Sequence, residues 1–251
     1  MCCFSRPVKS VSDTKIFARF GAKGRQFLVY SMKLDAAEPL AMVLPIPVAE
    51  GAKETDLRFI NLEKYPAFFE DMEAGFPVLI PLLNSVQSDY ASAPAPALKV
   101  VQVGSFEASF VPTAKDFSRL DERFRLPPQS FDKLKGYSKF GFAVFKLKAG
   151  NQKVHPMAFE YPSSSPRLFF PTVHIHDGKV HDRARFDHDL YCQPTAEHRL
   201  KLLDWSESHG AAAQFMKMEL AQGVVLHDEH CYKRTLAGRL GNTDTFVELQ
   251  A

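Results

Sequence analysis

The chain has 251 residues, 45% hydrophobic and 24% charged, values that exclude a disordered or collagen-like polymer. Lys and Arg number 31 against 29 Asp and Glu, a formal charge of +2, and no long basic run is present, which argues against nucleic acid as the main partner. The opening Met1-Cys2-Cys3-Phe4-Ser5-Arg6-Pro7 lacks the apolar stretch of a secretory signal. The most apolar run, Leu40 to Val48, is cut by Pro45 and Pro47 and is too short to span a bilayer. A soluble, cytoplasmic protein with no membrane partner is expected, its Cys2, Cys3, Cys192 and Cys231 all reduced.

In chain order, Ile16 to Phe20 and Gln26 to Met32 read as two strands around a Gly21-Ala22-Lys23-Gly24 turn, the hairpin signal. Ala41 to Val48 is extended, and its prolines suggest an edge or a polyproline-like passage. Leu62, Tyr65, Phe68, Phe69 and Met72 recur at helical steps and predict a helix over Asn61 to Gly75, with Gly75 as its cap. Ser85 to Pro96 is a small-residue and proline loop. Strands are predicted at Lys99 to Val103 and Ser105 to Val111, short helices at Ala114 to Phe124 and Pro128 to Leu134, and strands again at Phe140 to Leu147 and Val154 to Tyr161. Arg167 to Cys192 reads as a further hairpin and Ala196 to Ala221 as the longest helical stretch. No repeat or strong linker divides the chain, so the reading is a single α+β domain over 1–251, with a mostly antiparallel strand-rich core and inserted helices.

Several segments then carry a resemblance. These are the N-terminal Cys followed by Phe4-Ser5 and Pro7-Val8, Lys15-Ile16-Phe17-Ala18, Met42-Val43-Leu44-Pro45-Ile46-Pro47, Val103-Gly104-Ser105-Phe106-Glu107, and Tyr137 before Gly141 to Leu147. Over roughly residues 2 to 170 the chain resembles a functionally uncharacterised family of bacterial, mostly exported proteins. The resemblance implies a bacterial origin and a shared fold, and supplies no activity. The chain departs from that pattern in lacking an export signal and in carrying Met42 where an aromatic is expected.

The sharpest chemical feature is Thr172-Val173-His174-Ile175-His176-Asp177-Gly178-Lys179-Val180-His181. Asp-Gly between alternating segments is the signal of a two-residue type I′ hairpin. That turn pairs His176 with Lys179, Ile175 with Val180 and His174 with His181. Residues two apart on a strand share a face, and so do cross-strand partners. Three imidazoles therefore converge while Ile175 and Val180 point away. Three protein ligands with an open fourth position is the catalytic zinc pattern, and imidazoles equally accept copper or iron. The lead reading is a metal-dependent enzyme, hydrolase or oxidoreductase, on a small-molecule or peptide substrate. Its metal ligands are His174, His176 and His181, with Cys2 as a possible fourth through thiolate and amine. Asp182, Asp187, His188 and Cys192 follow closely; His188 lies an odd number of residues from His181, so it reads as outlying support or unrelated. The His227-Asp228-Glu229-His230-Cys231 cluster reads as a polar loop after a buried Val224-Val225-Leu226 strand.

Cys2 also supports a second chemistry. If Met1 is removed, the thiol stands beside a free α-amine whose unperturbed pKa of about 7.7–8.0 lets it act as a base. Met-Cys-x-Phe looks like the openings of class II glutamine amidotransferases and bile-salt hydrolases, which implies an N-terminal-nucleophile amidohydrolase with Cys2 catalytic and Arg19 after the first strand. Asn84, Asn151 and Asn242 are the candidate oxyanion donors. The bland alternative is that Cys2 and Cys3 begin a buried strand. A non-enzymatic metal- or partner-binding protein is the third functional alternative.

Overall fold

The computed structural model describes residues 2–76, 101–104, 106–120, 137–175 and 181–250, with side chains for all of these but 2, 3, 152 and 153. Fifteen strands and one α-helix lie among them: β1 Cys2–Phe4, β2 Ser10–Phe20, β3 Arg25–Ala36, β4 Leu40–Ile46, β5 Arg58–Asn61, α1 Phe68–Ala74, β6 Val101–Val103, β7 Phe106–Val111, β8 Gly141–Leu147, β9 Gly150–Pro162, β10 Leu168–Phe170, β11 His174–Ile175, β12 Arg183–Gln193, β13 Ser206–Ala211, β14 His230–Gly241 and β15 Thr245–Val247. The α+β expectation with inserted helices is therefore overturned, because the fold is all-β. Its two large sheets are mixed, in the orders β11-β1-β4-β8-β7-β6 and β13-β14-β12-β2-β3-β9-β5, and β10 pairs with β15. Among the described residues no helix is long and apolar enough to cross a membrane.

Among the described residues two of the predicted helices are shorter than expected and the longest is replaced by other structure. Over Asn61 to Gly75 the first residues complete β5 and a turn, leaving seven helical residues whose Phe68, Phe69 and Met72 are buried. Ala114 to Phe124 shrinks to a 3-10 turn over Ala114–Arg119, and the Pro128 to Leu134 prediction lies outside the described residues. The long stretch Ala196 to Ala221 instead holds β13 and a series of turns. Ser208 stops a helix there: its hydroxyl donates to the Gly210 carbonyl at 2.7 Å and accepts from the Cys231 N–H at 3.0 Å, the local competition that keeps Ser out of helix interiors. A Cβ at Gly210 would meet the end of the Gln214 side chain at 2.1 Å, so that side chain lies against the glycine.

The proline-containing segment is not at an edge. β4 lies between β1 and β8 and is buried at every residue. The Ala41 carbonyl accepts from the Ser5 N–H at 2.9 Å, so odd-numbered residues of β4 direct their backbone groups toward β1. Described pairing with β1 reaches only Val43 and Met42, so the N–H that Pro45 lacks would point past the paired residues.

Three apolar clusters result. The main one fills the space between the sheets, from Ile16, Ala18, Leu28, Tyr30 and Phe159 to Met42, Leu44 and Phe145. A second covers the outer face of the seven-stranded sheet, where Phe17, Val29 and Tyr191 meet α1 and the 212–225 turns. The third lies outside the six-stranded sheet and contains Val43, Phe142, Val144 and Ile175. Central strands are thereby covered on both faces, which explains their nearly continuous apolar runs.

Candidate functional site

Asn242, 8% exposed, organises the ends of the histidine segment. Its Oδ1 accepts from the His174 N–H at 2.8 Å, while its Nδ2 donates to the carbonyls of His174 at 3.0 Å and His181 at 2.9 Å. Neighbouring bonds repeat the theme: Asp244 Oδ1 accepts from the Val173 N–H at 3.0 Å, and the Thr172 hydroxyl donates to the Thr243 carbonyl at 2.9 Å. One amide thus draws the backbones of His174 and His181 together. The predicted Asp177-Gly178 turn and His176 lie outside the described residues. Both amide atoms of Asn242 are committed to this backbone, which removes it as an oxyanion donor.

The side chains divide. His181 is exposed, whereas the half-buried His174 ring packs 4.6 Å from Phe186 and 4.6 Å from His188, centroid to centroid. His188 is only 1% exposed, on β12 between Thr14 of β2 and Leu236 of β14. The structure thus brings together His174 and His188, the residue read from its spacing to His181 as outlying support or unrelated. Ile175 faces the outer cluster.

β11 pairs in parallel with β1, in a register that sets Cys2 opposite His174 and Cys3 opposite Ile175. The two features that the sequence singled out separately are therefore ladder neighbours, though 172 positions apart. Among the described residues no three His, Cys, Asp or Glu side chains group in a way that could hold a metal ion.

The other candidates have structural occupations. Arg19, 6% exposed, donates to the carbonyls of Val224 at 2.5 Å, Gly223 at 2.6 Å and Phe20 at 2.8 Å, and lies 4.0 Å over the Phe27 ring. Burial lowers its pKa to about 10, against the opposing pull of Glu160. This guanidinium clamps the Gln222-Gly223 turn, whose two residues have φ of 51° and 72°. It is not held ready for a substrate. Cys192 and Cys231 are free, buried thiols, and burial pushes both up, Cys231 to about 12. His230 Nδ1 contacts the Ser208 carbonyl at 3.0 Å at the start of β14, and His227 pairs with Asp228 on the surface. Val224 to Leu226, predicted as a strand, is irregular and pairs with no strand among the described residues.

A second site lies at the far end of the seven-stranded sheet. β13 pairs with β14 only as far as Ser206 opposite Lys233. Beyond it, from Arg234 to Gly241, β14 has no second strand beside it among the described residues, although the Arg239 and Gly241 carbonyls already accept from Arg183 Nη2 and the Thr243 N–H. There Arg185 stands directly across from Arg239, and Arg183 Nη2 donates to the Arg239 carbonyl at 2.6 Å. Arg183, Ala184, Arg185, Gly238 and Arg239 line a shallow groove. The carboxylates further along are engaged: Asp187 accepts from the Asp13 N–H at 2.8 Å, Asp13 pairs with Lys15 and Lys33, and Asp189 accepts from Thr235 Oγ1 at 2.6 Å. None of the three arginines has a carboxylate within 4.0 Å among the described residues. Arg183-x-Arg185 was visible as alternation, but its meeting with Arg239 is fixed only by the β12–β14 register.

No family model matches the chain. The chain is similar to solved structures of baculovirus P35. For a crystal structure of that protein the identity is 12%, with 96% of this chain and 97% of that one covered and a TM-score of 0.49. For a mutated P35 after caspase cleavage the values are 14%, 95%, 100% and 0.49. For P35 in a complex with caspase-8 they are 11%, 95%, 96% and 0.47.

Proposed function

We propose that this protein acts by binding a protein partner, which adds an extended segment to the outer edge of β14. What supports the reading is the row of backbone positions from Arg234 to Gly241 that pairs on one side only. An open strand edge presents unpaired N–H and C=O groups, and natural proteins either blunt such edges or use them for strand addition. The test is hydrogen exchange at 234–241 in the presence of strand-forming peptides selected from a random display library. Slowed exchange confined to that edge supports the reading. Selection of no peptide that protects it overturns the reading. Caspase-8, which one of the similar structures contains, serves as an intact-protein probe in the same assay.

A transition-metal centre is the second reading, favoured by the register of Cys2 on His174 and the packing of His174 against His188. Zinc, copper or iron would be held by Cys2 with His174, and by His176 and His181 of the same segment, with metal-dependent catalysis as its use. Elemental analysis of protein expressed with supplemented metal tests it: close to one ion per chain, lost in His174→Ala and Cys2→Ser, supports the centre. Metal-free wild type ends it.

A further inference from the structure

We propose that the segment β14 accepts is acidic, with a carboxylate side chain seated against the Arg239 guanidinium on its side away from Arg185. This rests on the strand-addition reading and deepens it. In an antiparallel ladder, residues directly opposite hold their Cβ atoms roughly 4.5–5.5 Å apart, and like charges in that position repel. Arg185 and Arg239 occupy it, both exposed, and neither has an ion-pair partner among the described residues. Arg183 adds a third guanidinium to the same groove and is held there by its bond to the Arg239 carbonyl. A strand added beside β14 would place its own alternate side chains on this face, one row from Arg239. A carboxylate there receives the planar, forked donors that suit it and relieves the repulsion.

The neighbouring charges set how long the acidic stretch can be. Along β12 the exposed face runs Arg183, Arg185, Asp187, Asp189, so basic gives way to acidic within two rungs. A polyanion tracking the strand would meet Asp187 and Asp189, whereas a peptide with one or two acidic residues at one end of its paired segment avoids them. Exposed Leu240, opposite Ala184 on the other face of the ladder, offers an apolar contact to an intervening side chain. The occupant is thus a short extended peptide, acidic at the end that meets Arg239 and apolar at alternate positions.

The probes are fluorescent heptapeptides of alternating valine and threonine with glutamate in place of threonine at one end only, the same with lysine for glutamate, and a glutamate version N-methylated along one strand edge. Anisotropy is expected to show the glutamate peptide binding at least tenfold tighter than the lysine peptide. Arg185→Gln with Arg239→Gln should abolish that preference, and Arg185→Glu with Arg239→Glu should reverse it, with circular dichroism unchanged. Because the peptide exchange alone reads the preference on wild type, a variant that misfolds does not spare the proposal. Equal binding of glutamate and lysine peptides, with the 234–241 edge still protected, overturns the acidic specificity and leaves strand addition standing. Undiminished binding of the N-methylated peptide, or no binding by any of the three, overturns both. Displacement of the glutamate peptide by an equally charged oligothymidylate overturns the assignment to a peptide.

Discussion

Replacing Asn242 by Ala should release the segment that carries His174 and His181 while leaving the apolar core untouched. Three side-chain hydrogen bonds are lost, one accepted from the His174 N–H and two donated to the carbonyls of His174 and His181. Each is worth about 0.5–1.5 kcal/mol net, so the sum is about 1.5–4.5 kcal/mol, and about 3 kcal/mol is expected. For a chain this size each kcal/mol moves Tm by about 2–4 °C, which gives a fall of about 6–12 °C. The effect should spread to β1, because β11 is its parallel neighbour. Hydrogen exchange should therefore quicken at the amides of His174 and of Phe4, whose N–H points toward β11, together. Asn242→Asp sharpens the test. It keeps an acceptor for the His174 N–H but turns an oxygen toward two carbonyls. At neutral pH it should destabilise at least as much as Ala, and recover part of the loss once acid protonates the carboxyl into a donor. Urea denaturation across pH measures both. A loss under about 1 kcal/mol for either variant, with His174 protection intact, would refute the reasoning.

Arg19→Met removes three buried carbonyl contacts while keeping much of the side chain's volume. It should cost about 2–4 kcal/mol in chemical denaturation, with faster proteolysis at the Gln222-Gly223 turn. Ile175→Ala, a truncation of a side chain only 3% exposed, should cost about 2–4 kcal/mol by the same measurement. His155, stacked at 3.9 Å on Phe106, has its pKa lowered by burial. A base depressed in the folded state contributes stability that is full above its ordinary value near 6.5 and is lost as pH falls below it. Urea midpoints should accordingly drop from pH 7 to 5, and His155→Leu should flatten that slope. Asp187 has the opposite sign: burial, with Asp13 beside it, raises its pKa, so its ionisation opposes folding as pH rises through that range. Asp187→Asn, still able to accept from the Asp13 N–H, should leave stability at pH 7 equal or higher, by thermal melts at matched ionic strength.

What could be read from the sequence was local. The Gly21 to Gly24 turn and the strands around it appear as β2 and β3, with Phe20 opposite Gln26 and φ of 55° at Lys23 and 69° at Gly24. Failures arose where a pattern had two physical sources. Leu62, Tyr65, Phe68, Phe69 and Met72 are all buried in one cluster, as helical spacing implies, yet only the last three stand on the helix; the first two are fixed by a turn beside β5. The apolar β4 run was ambiguous because burial on both faces erases alternation, and Pro45 was tolerated by a placement no local rule reveals. Long-range parallel pairing left no local trace at all. Neither β2 beside β12 nor β1 beside β11 could be inferred from residues so far apart, although the second of these joins Cys2 to His174.

The architecture itself restricts where a function can reside. β4 is buried throughout, and most of β3 and β8 likewise, since clusters lie both between the sheets and outside them. Central strands therefore offer neither backbone nor side chains to a visitor. Among the described strands the accessible positions are at the sheet rims, and the two sites described occupy different rims. β11 closes one end of the six-stranded sheet and carries half-buried His174, while the far end of β14 is exposed and carries Arg239 opposite Arg185 of β12, neither with an ion-pair partner among the described residues. They also differ in what holds them. The His174 segment is tied down by Asn242 and Asp244, so changing it perturbs the fold. The 185/239 arginine pair sits on a ladder already complete on its inner side, and removing its mutual repulsion should not weaken that ladder. On the proposal made above, a bound carboxylate would offset the repulsion of a pair that no described carboxylate neutralises.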